Sequence, residues 1–417
     1  MRLTKIVDGA LWLLLLLALM RTTVLVRRRD TAEFAAVDVS ATFAIVIVAG
    51  MLVLLVVHPR ARRSLLRLRE SSAAILLGYF AYGALSAAWS EVPTFTLFRA
   101  GEIIAILGAL VVLMDGFEDW RKAERAMLGV LMAVTVFGFL QRVITAGISI
   151  SGLHTNVYTV TAGMGFLYAL GESLRADEGR RRALRRWAAA FIFFAIVGTS
   201  AGSNIGIAVG MLILLPFLSR SKVVVIPGAL ACVAVVVIMG TSEEIVSTTL
   251  LSGRSIEEAQ TLTGRMYLWT AYWEAFLQRP IVGQGYAIVA RLGDQFGTVA
   301  TTNAHNGFIE ALAGLGAVGF GLLLYYSVRL FLECLRASRL YIAGGLGCFA
   351  AIVMMQVNNN SKSILGGGYD PTIIGVFAVI AFLHVFTVRA TAAKKAAGRS
   401  RPDGSGDPAA GTAPARS

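Results

Sequence analysis

Charge is scarce in this sequence. Asp, Glu, Lys and Arg make up 15% of its 417 residues, against roughly 25% in soluble domains, so an ordinary water-soluble globule is excluded. Cysteine is rarer still. Cys232, Cys334 and Cys348 lie in or beside apolar runs without paired spacing, which excludes both a disulfide framework and a cysteine metal site. No P-loop, nucleophile elbow or metal-ligand spacing of histidines is present. The first apolar run is followed by Arg27-Arg28-Arg29 rather than by a small-residue cleavage site, which argues against a cleavable signal peptide.

What the chain does have is apolar sequence, 56% of it, in runs of the length needed to cross roughly 30 Å of hydrocarbon. These runs do not alternate in polarity as barrel strands do. The expected class is all-α, a polytopic membrane helical bundle of about 12 transmembrane helices with one long extracytoplasmic loop. The runs lie near 6–26, 37–57, 71–89, 96–114, 127–146, 156–172, 187–200, 203–219, 222–240, 306–327, 341–357 and 372–388. This divides the chain into a membrane bundle of about nine spans (1–240), an outer loop with short helices (241–305), further spans (306–388) and a disordered cytoplasmic tail (389–417). The net charge of +13 is clustered between apolar runs, at 60–69, 175–186 and 336–339. That placement is topogenic, since basic clusters stay on the cytoplasmic side, and it argues against nucleic acid as a partner. Arg27–Arg29 break the pattern, because the same count places them outside.

Gly202, Gly206 and Gly210 recur every four residues and predict one helix face for close packing. Gly314, Gly316 and Gly319 are similar. No internal repeat is visible, whereas many secondary transporters are built from repeated halves.

The polar interest is concentrated in 262–306. Arg265 precedes a helical stretch containing Trp269, and an arginine at a helix start can grip phosphate with its fork. The aromatics there either lie along the membrane interface or stack on sugar rings. Arg279-Pro280 ends the helix, and Gly283-Gln284-Gly285 forms a tight turn, a weak signal for phosphate binding. His305 beside Asn306 sits at a loop-to-span junction, suited to a general base or to a structural hydrogen bond. His154 and Asn156 occupy a comparable junction. Arg21, Arg99 and Arg142 fall near span ends, where an arginine marks a binding site or an ion pair. Arg99 can pair with Glu102 at i,i+3, and Arg21 can snorkel to the interface.

Taken together, Ala87-Ala-Trp-Ser-Glu-Val-Pro93 with Arg99, Gly152-Leu-His154-Thr-Asn156, Thr263-Gly-Arg265 with Trp269, Arg279-Pro-Ile-Val-Gly-Gln-Gly-Tyr286 and Ala304-His305-Asn306 resemble the O-antigen ligase and O-antigen polymerase superfamily. Within it, the resemblance is to the exopolysaccharide polymerase-like membrane proteins of bacteria. It implies a metal-independent, inverting glycosyl transfer without a cofactor at the outer face of the inner membrane. The donor would be a glycan on a polyprenyl diphosphate such as undecaprenyl diphosphate. The acceptor would be a sugar hydroxyl of a glycan or lipid core, with membrane lipids around the protein. Arg265 would bind the diphosphate, and His305 would activate the acceptor or stabilise the leaving group. Arg99, His154, Asn156, Trp269, Arg279, Gly283, Gly285 and Asn306 would bind substrate. Relatives often carry a basic residue where this chain has Thr155, and a cation after the serine of a turn that here reads Ser200-Ala-Gly-Ser203-Asn204. Two other classes fit the same composition: a transporter of lipid-linked oligosaccharide, and a non-catalytic subunit of a polysaccharide export assembly.

Overall fold

The computed structural model describes residues 2–24, 39–148, 155–198, 200–218, 265–292 and 303–399. They form α1 (Arg2–Val24), α2 (Val39–Val57), α3 (Ala61–Arg67), α4 (Ser72–Leu85), α5 (Pro93–Asp115), α6 (Trp120–Ala146) and α7 (Asn156–Ser173), then α8 (Glu178–Gly198), α9 (Ala201–Leu218), α10 (Arg265–Gln278), α11 (Gly307–Arg339), α12 (Gly345–Asn358) and α13 (Thr372–Arg399). There is no strand among the described residues, so the all-α expectation stands.

Helix starts follow local chemistry. Pro93 opens α5, where its missing N–H costs nothing. Asp119, Thr155 and Asn306 cap α6, α7 and α11 by accepting backbone N–H groups that have no helical partner.

A helix stands at every expected span except 222–240, which lies outside the described residues. By length and composition, however, only α2, α5, α6 and α11 among the described residues qualify as membrane spans, with a fifth if the segment Ala61–Glu70 and Ser72–Ala88, bent by 110°, counts as one. This measure leaves the expected twelve unconfirmed. The physical reason is visible in α7, which buries Thr159, Thr161 and Glu172 against its neighbours. A helix in the bundle interior need not be apolar all round, so its mean hydropathy falls below that of a lipid-facing one. The last helix runs to Arg399, past the boundary drawn at 388.

The glycine face of α9 packs as its spacing predicts. A Cβ at Gly206 would lie 2.4 Å from the Asn358 side chain, and one at Gly210 would lie 2.3 Å from Leu167. α9 therefore nests against α12 and α7 at backbone distance.

Within the expected outer loop, residues 283–292 are built into the bundle. Gly316 takes φ +65° and breaks α11 near its start. Residues 280–285 dock into the break: Gln284 N donates to Ala313 O (3.1 Å), Gly285 N to Gly314 O (2.7 Å), Ala317 N to Pro280 O (2.8 Å) and Val318 N to Ile281 O (3.3 Å). Gly283 and Gly285 have positive φ and abut Gly314 and Ser90. Tyr286 is buried, donating from its hydroxyl to Gly367 O (2.7 Å) and from its N–H to the Ser86 hydroxyl (2.9 Å). The stretch looked polar enough for water because its glycines and amides pair with backbone.

Replacing Gly316 by Ala is expected to cost about 1–3 kcal/mol for the strained conformation alone, because the new Cβ would also meet Ile281 O at 2.3 Å. Thermal unfolding in detergent should show a lower midpoint, whereas Gly321→Ala in the same helix, where the added Cβ meets nothing within 4 Å, should leave it unchanged or raised.

Candidate functional site

One end of the bundle gathers the start of α11, the turn after α10, the start of α5 and the 359–371 connection between α12 and α13. His305 is exposed, with φ +52°, a left-handed conformation uncommon outside glycine. Its position is fixed through its neighbour. The Ala304 N–H donates to Glu310 Oε1 (2.9 Å), and the Ala304 carbonyl accepts from Trp269 Nε1 (2.8 Å). Asn306 then caps α11, its side-chain oxygen accepting from the Phe308 and Ile309 N–H groups.

Arg265 begins α10, and its side chain lies outside the described atoms. Position 265 is one turn before Trp269 on the same helix face. Since Trp269 reaches Ala304, that face is turned toward the residues leading into His305. Trp269 is half-buried, and its indole N–H is engaged by this pin.

Arg99 forms the i,i+3 pair expected of it, Nη1 to Glu102 Oε2 at 2.8 Å. Arg21 does not snorkel: its Nη2 lies 2.8 Å from Glu102 Oε1, and its guanidinium lies over the Tyr369 ring at 4.6 Å. Two guanidiniums thus share one buried carboxylate, leaving the cluster net positive. Burying an unpaired charge in a membrane bundle is costly, so Glu102 is what allows both arginines to point inward. Arg279 is exposed and donates to the Trp89 carbonyl (2.7 Å). Gly283 and Gly285 serve the docking described above. His154 lies outside the described residues. Among the described residues no group of three or more His, Cys, Asp or Glu is arranged to hold a metal ion.

Between these elements is a cavity of about 80 Å³, lined by Arg99, Arg291, Tyr272, Asn303, Glu310 and Tyr369 among others. Arg99 and Arg291 both lie over the Phe95 ring, at 5.2 and 5.6 Å. Burial pushes the Tyr272 phenol well above its usual range, with the Glu310 charge adding to the effect, so it stays a neutral hydroxyl.

With this geometry in view, the O-antigen ligase family model matches residues 187–324, from within α8 through the first half of α11. This match covers about a third of the chain and supports its resemblance to the O-antigen ligase and polymerase superfamily. No curated protein matches it. Its apolar helices and this match support a multi-pass membrane protein of the O-antigen ligase and polymerase type.

The superfamily motif that lacks a cation at Thr155 has one in space. Lys362 is buried, its Nζ donating to Asn156 O (3.1 Å) and Thr372 Oγ1 (2.7 Å) and pairing with Asp370 Oδ1 (3.0 Å). Sequence reading missed Lys362, Asp370, Tyr369, Arg291 and Glu310. The polar run Asn358-Asn-Asn-Ser-Lys362 and Gly366-Gly-Gly-Tyr-Asp370 between two apolar runs was the available signal.

Burial works to raise the Asp370 carboxyl, but Lys362 and the Thr372 hydrogen bonds outweigh it and hold it below the usual carboxylate range. A depressed carboxylate contributes stability that is fully present above its unfolded value, ~3.9, and is lost as pH falls through the lower folded value. Asp370→Asn is therefore expected to lower the melting midpoint at neutral pH and to match the wild type once both carboxyl forms are protonated. Melting curves in detergent from pH 7 to below pH 3 check this; a constant gap between the two proteins at every pH would contradict it.

Proposed function

We propose that this protein is a glycosyltransferase at the extracytoplasmic face of a bacterial inner membrane. It moves a glycan from a polyprenyl diphosphate to an acceptor sugar hydroxyl during surface or exopolysaccharide synthesis. The reading rests on one observation above the others: the Trp269–Ala304 hydrogen bond (2.8 Å), which turns the helix that begins with Arg265 toward the segment that ends in His305, within a chain that the O-antigen ligase family model matches.

In this mechanism Arg265 binds the donor diphosphate. Arginine suits the task because it stays protonated and meets phosphate bidentately. His305 lies at the exposed rim, within reach of the leaving diphosphate or the incoming hydroxyl. Arg99, held by Glu102, adds positive potential beside the cavity. A diphosphate is already a good leaving group, so positioning and charge stabilisation supply most of the acceleration. The C1–O bond to the diphosphate breaks as the acceptor oxygen bonds to C1 from the opposite face, inverting the centre. The hydroxyl proton goes to a protein base.

Arg265→Ala and His305→Ala should each lower glycan transfer by about 10²-fold or more, the range of a lost acid–base or charge-stabilising group, while the protein still inserts and melts normally. Purified protein supplied with lipid-linked glycan, with product length read on a gel, makes the measurement. Full activity in both variants would remove the reading. Movement of lipid-linked glycan across vesicles without a new glycosidic bond would replace it with transport.

A further inference from the structure

The cavity beside α5 carries chemistry that the proposed function leaves unused. Its lining is mixed: it includes Arg99 and Arg291, Tyr272, Asn303, Tyr369 and Glu310. A bare anion would find donors in the arginines but would be opposed by the Glu310 carboxylate. A ring of hydroxyls would not, because it both donates and accepts and presents apolar faces to aromatic rings.

Glu310 is 7% exposed. Its Oε1 takes two hydrogen bonds, from the Ala304 N–H (2.9 Å) and the Ser363 hydroxyl (2.7 Å). Its Oε2 accepts none among the described residues. Glu310 is among the residues that line the cavity. The two bonds to Oε1 leave the second oxygen, which sits against Gly367, as its remaining acceptor. Nothing in the packing demands a carboxylate here, because a glutamine could accept both bonds equally well.

We propose that this cavity seats the acceptor sugar and that Glu310, through Oε2, takes the proton of the attacking hydroxyl. The inference rests on the glycosyl-transfer reading above and assigns its base. The acceptor O–H bond breaks, with its proton passing to Glu310. The oxygen's electron pair forms the bond to C1 of the donor, and the C1–O pair departs with the diphosphate. Glu310 later returns the proton to water. His305 is then left to the leaving group, and the peptide of Ala304 couples the two, since Glu310 holds its N–H while His305 follows its carbonyl.

The test is Glu310→Gln, which keeps an acceptor for both structural hydrogen bonds and removes the base. Lipid-linked glycan and surface-lipid acceptor extracted from the source cells serve as substrates, with the purified full chain in nanodiscs. The expected result is a fall in kcat of about 10²–10⁴-fold, with the apparent KM for donor within about threefold of wild type. Glu310→Asp, which restores a carboxylate, should recover at least tenfold of the loss. Should the Gln variant fail to fold, Arg291→Ala, which touches neither bond of Glu310, should raise the acceptor KM about tenfold and leave the donor KM alone. Wild-type kcat in Glu310→Gln overturns the assignment of the base, and an unchanged acceptor KM in Arg291→Ala overturns the seating of the sugar. A wild-type protein that forms no glycosidic bond overturns the transferase reading and this one together, so the two failures are told apart by the control.

Discussion

The backbone pairing between 280–285 and the break in α11 is the constraint on which the site depends. A helix interrupted within a membrane bundle strands amides and carbonyls that water cannot reach, and each stranded group is costly. Here the break at Gly316 frees the carbonyls of Ala313 and Gly314 and the N–H groups of Ala317 and Val318, and the docked turn satisfies all of these. Gly283, Gly285 and Gly316 make the approach possible because a Cβ at any of them would stand within 2.6 Å of a neighbouring atom. The short segment ahead of the break, from Asn306 to Leu315, is thereby set apart from the long span that follows. It is this segment that carries Glu310 and aims the chain at His305.

Buried charge follows one rule throughout. Wherever a carboxylate is taken from water, the bundle supplies cations or backbone donors in number. Glu102 meets Arg21 and Arg99 at one end. At the other, Glu172 takes Arg180 together with the N–H groups of Gly344 and Gly347, and Glu124 takes Arg180 and the Tyr168 hydroxyl. Such networks hold helices in register, since removing one partner leaves an uncompensated charge. Glu310 departs from the rule: its described hydrogen bonds come from one amide and one hydroxyl, both neutral. A buried acid held by neutral donors beside a cavity differs from the acids that merely lock helices together.

The 359–371 connection does work that its length does not advertise. Asn359 accepts the Ile364 and Leu365 N–H groups on its side chain and the Gly307 N–H on its carbonyl. Tyr369 donates to Ala18 O, tying α1 to the same end. Lys362 reaches the start of α7. One turn therefore joins the elements that bear Asn156, Arg21 and Glu310, and it supplies a cation close to a motif that lacks one in sequence.

The sequence by itself determined the class. Scarce charge and recurrent apolar runs dictate membrane helices, because only backbone satisfied within its own segment survives in hydrocarbon. The four-residue spacing of Gly202, Gly206 and Gly210 determined a packing face for the same local reason, and the spacing of Arg99 and Glu102 determined their pair. Tertiary structure alone decided the rest. Apolar runs did not decide the number of spans, since hydropathy cannot distinguish a helix in lipid from one in the bundle interior. Residues 283–292, within the segment expected to be a water-exposed loop, are largely buried, because their glycines and amides find backbone partners in a helix some thirty residues onward. For Arg21 the sequence left snorkelling beside a binding site or an ion pair, since nothing local announces a carboxylate on another helix. Glu310 and Lys362 were passed over for that reason as well: burial and the company of distant side chains, which make a residue chemically unusual, belong to no stretch of chain read alone.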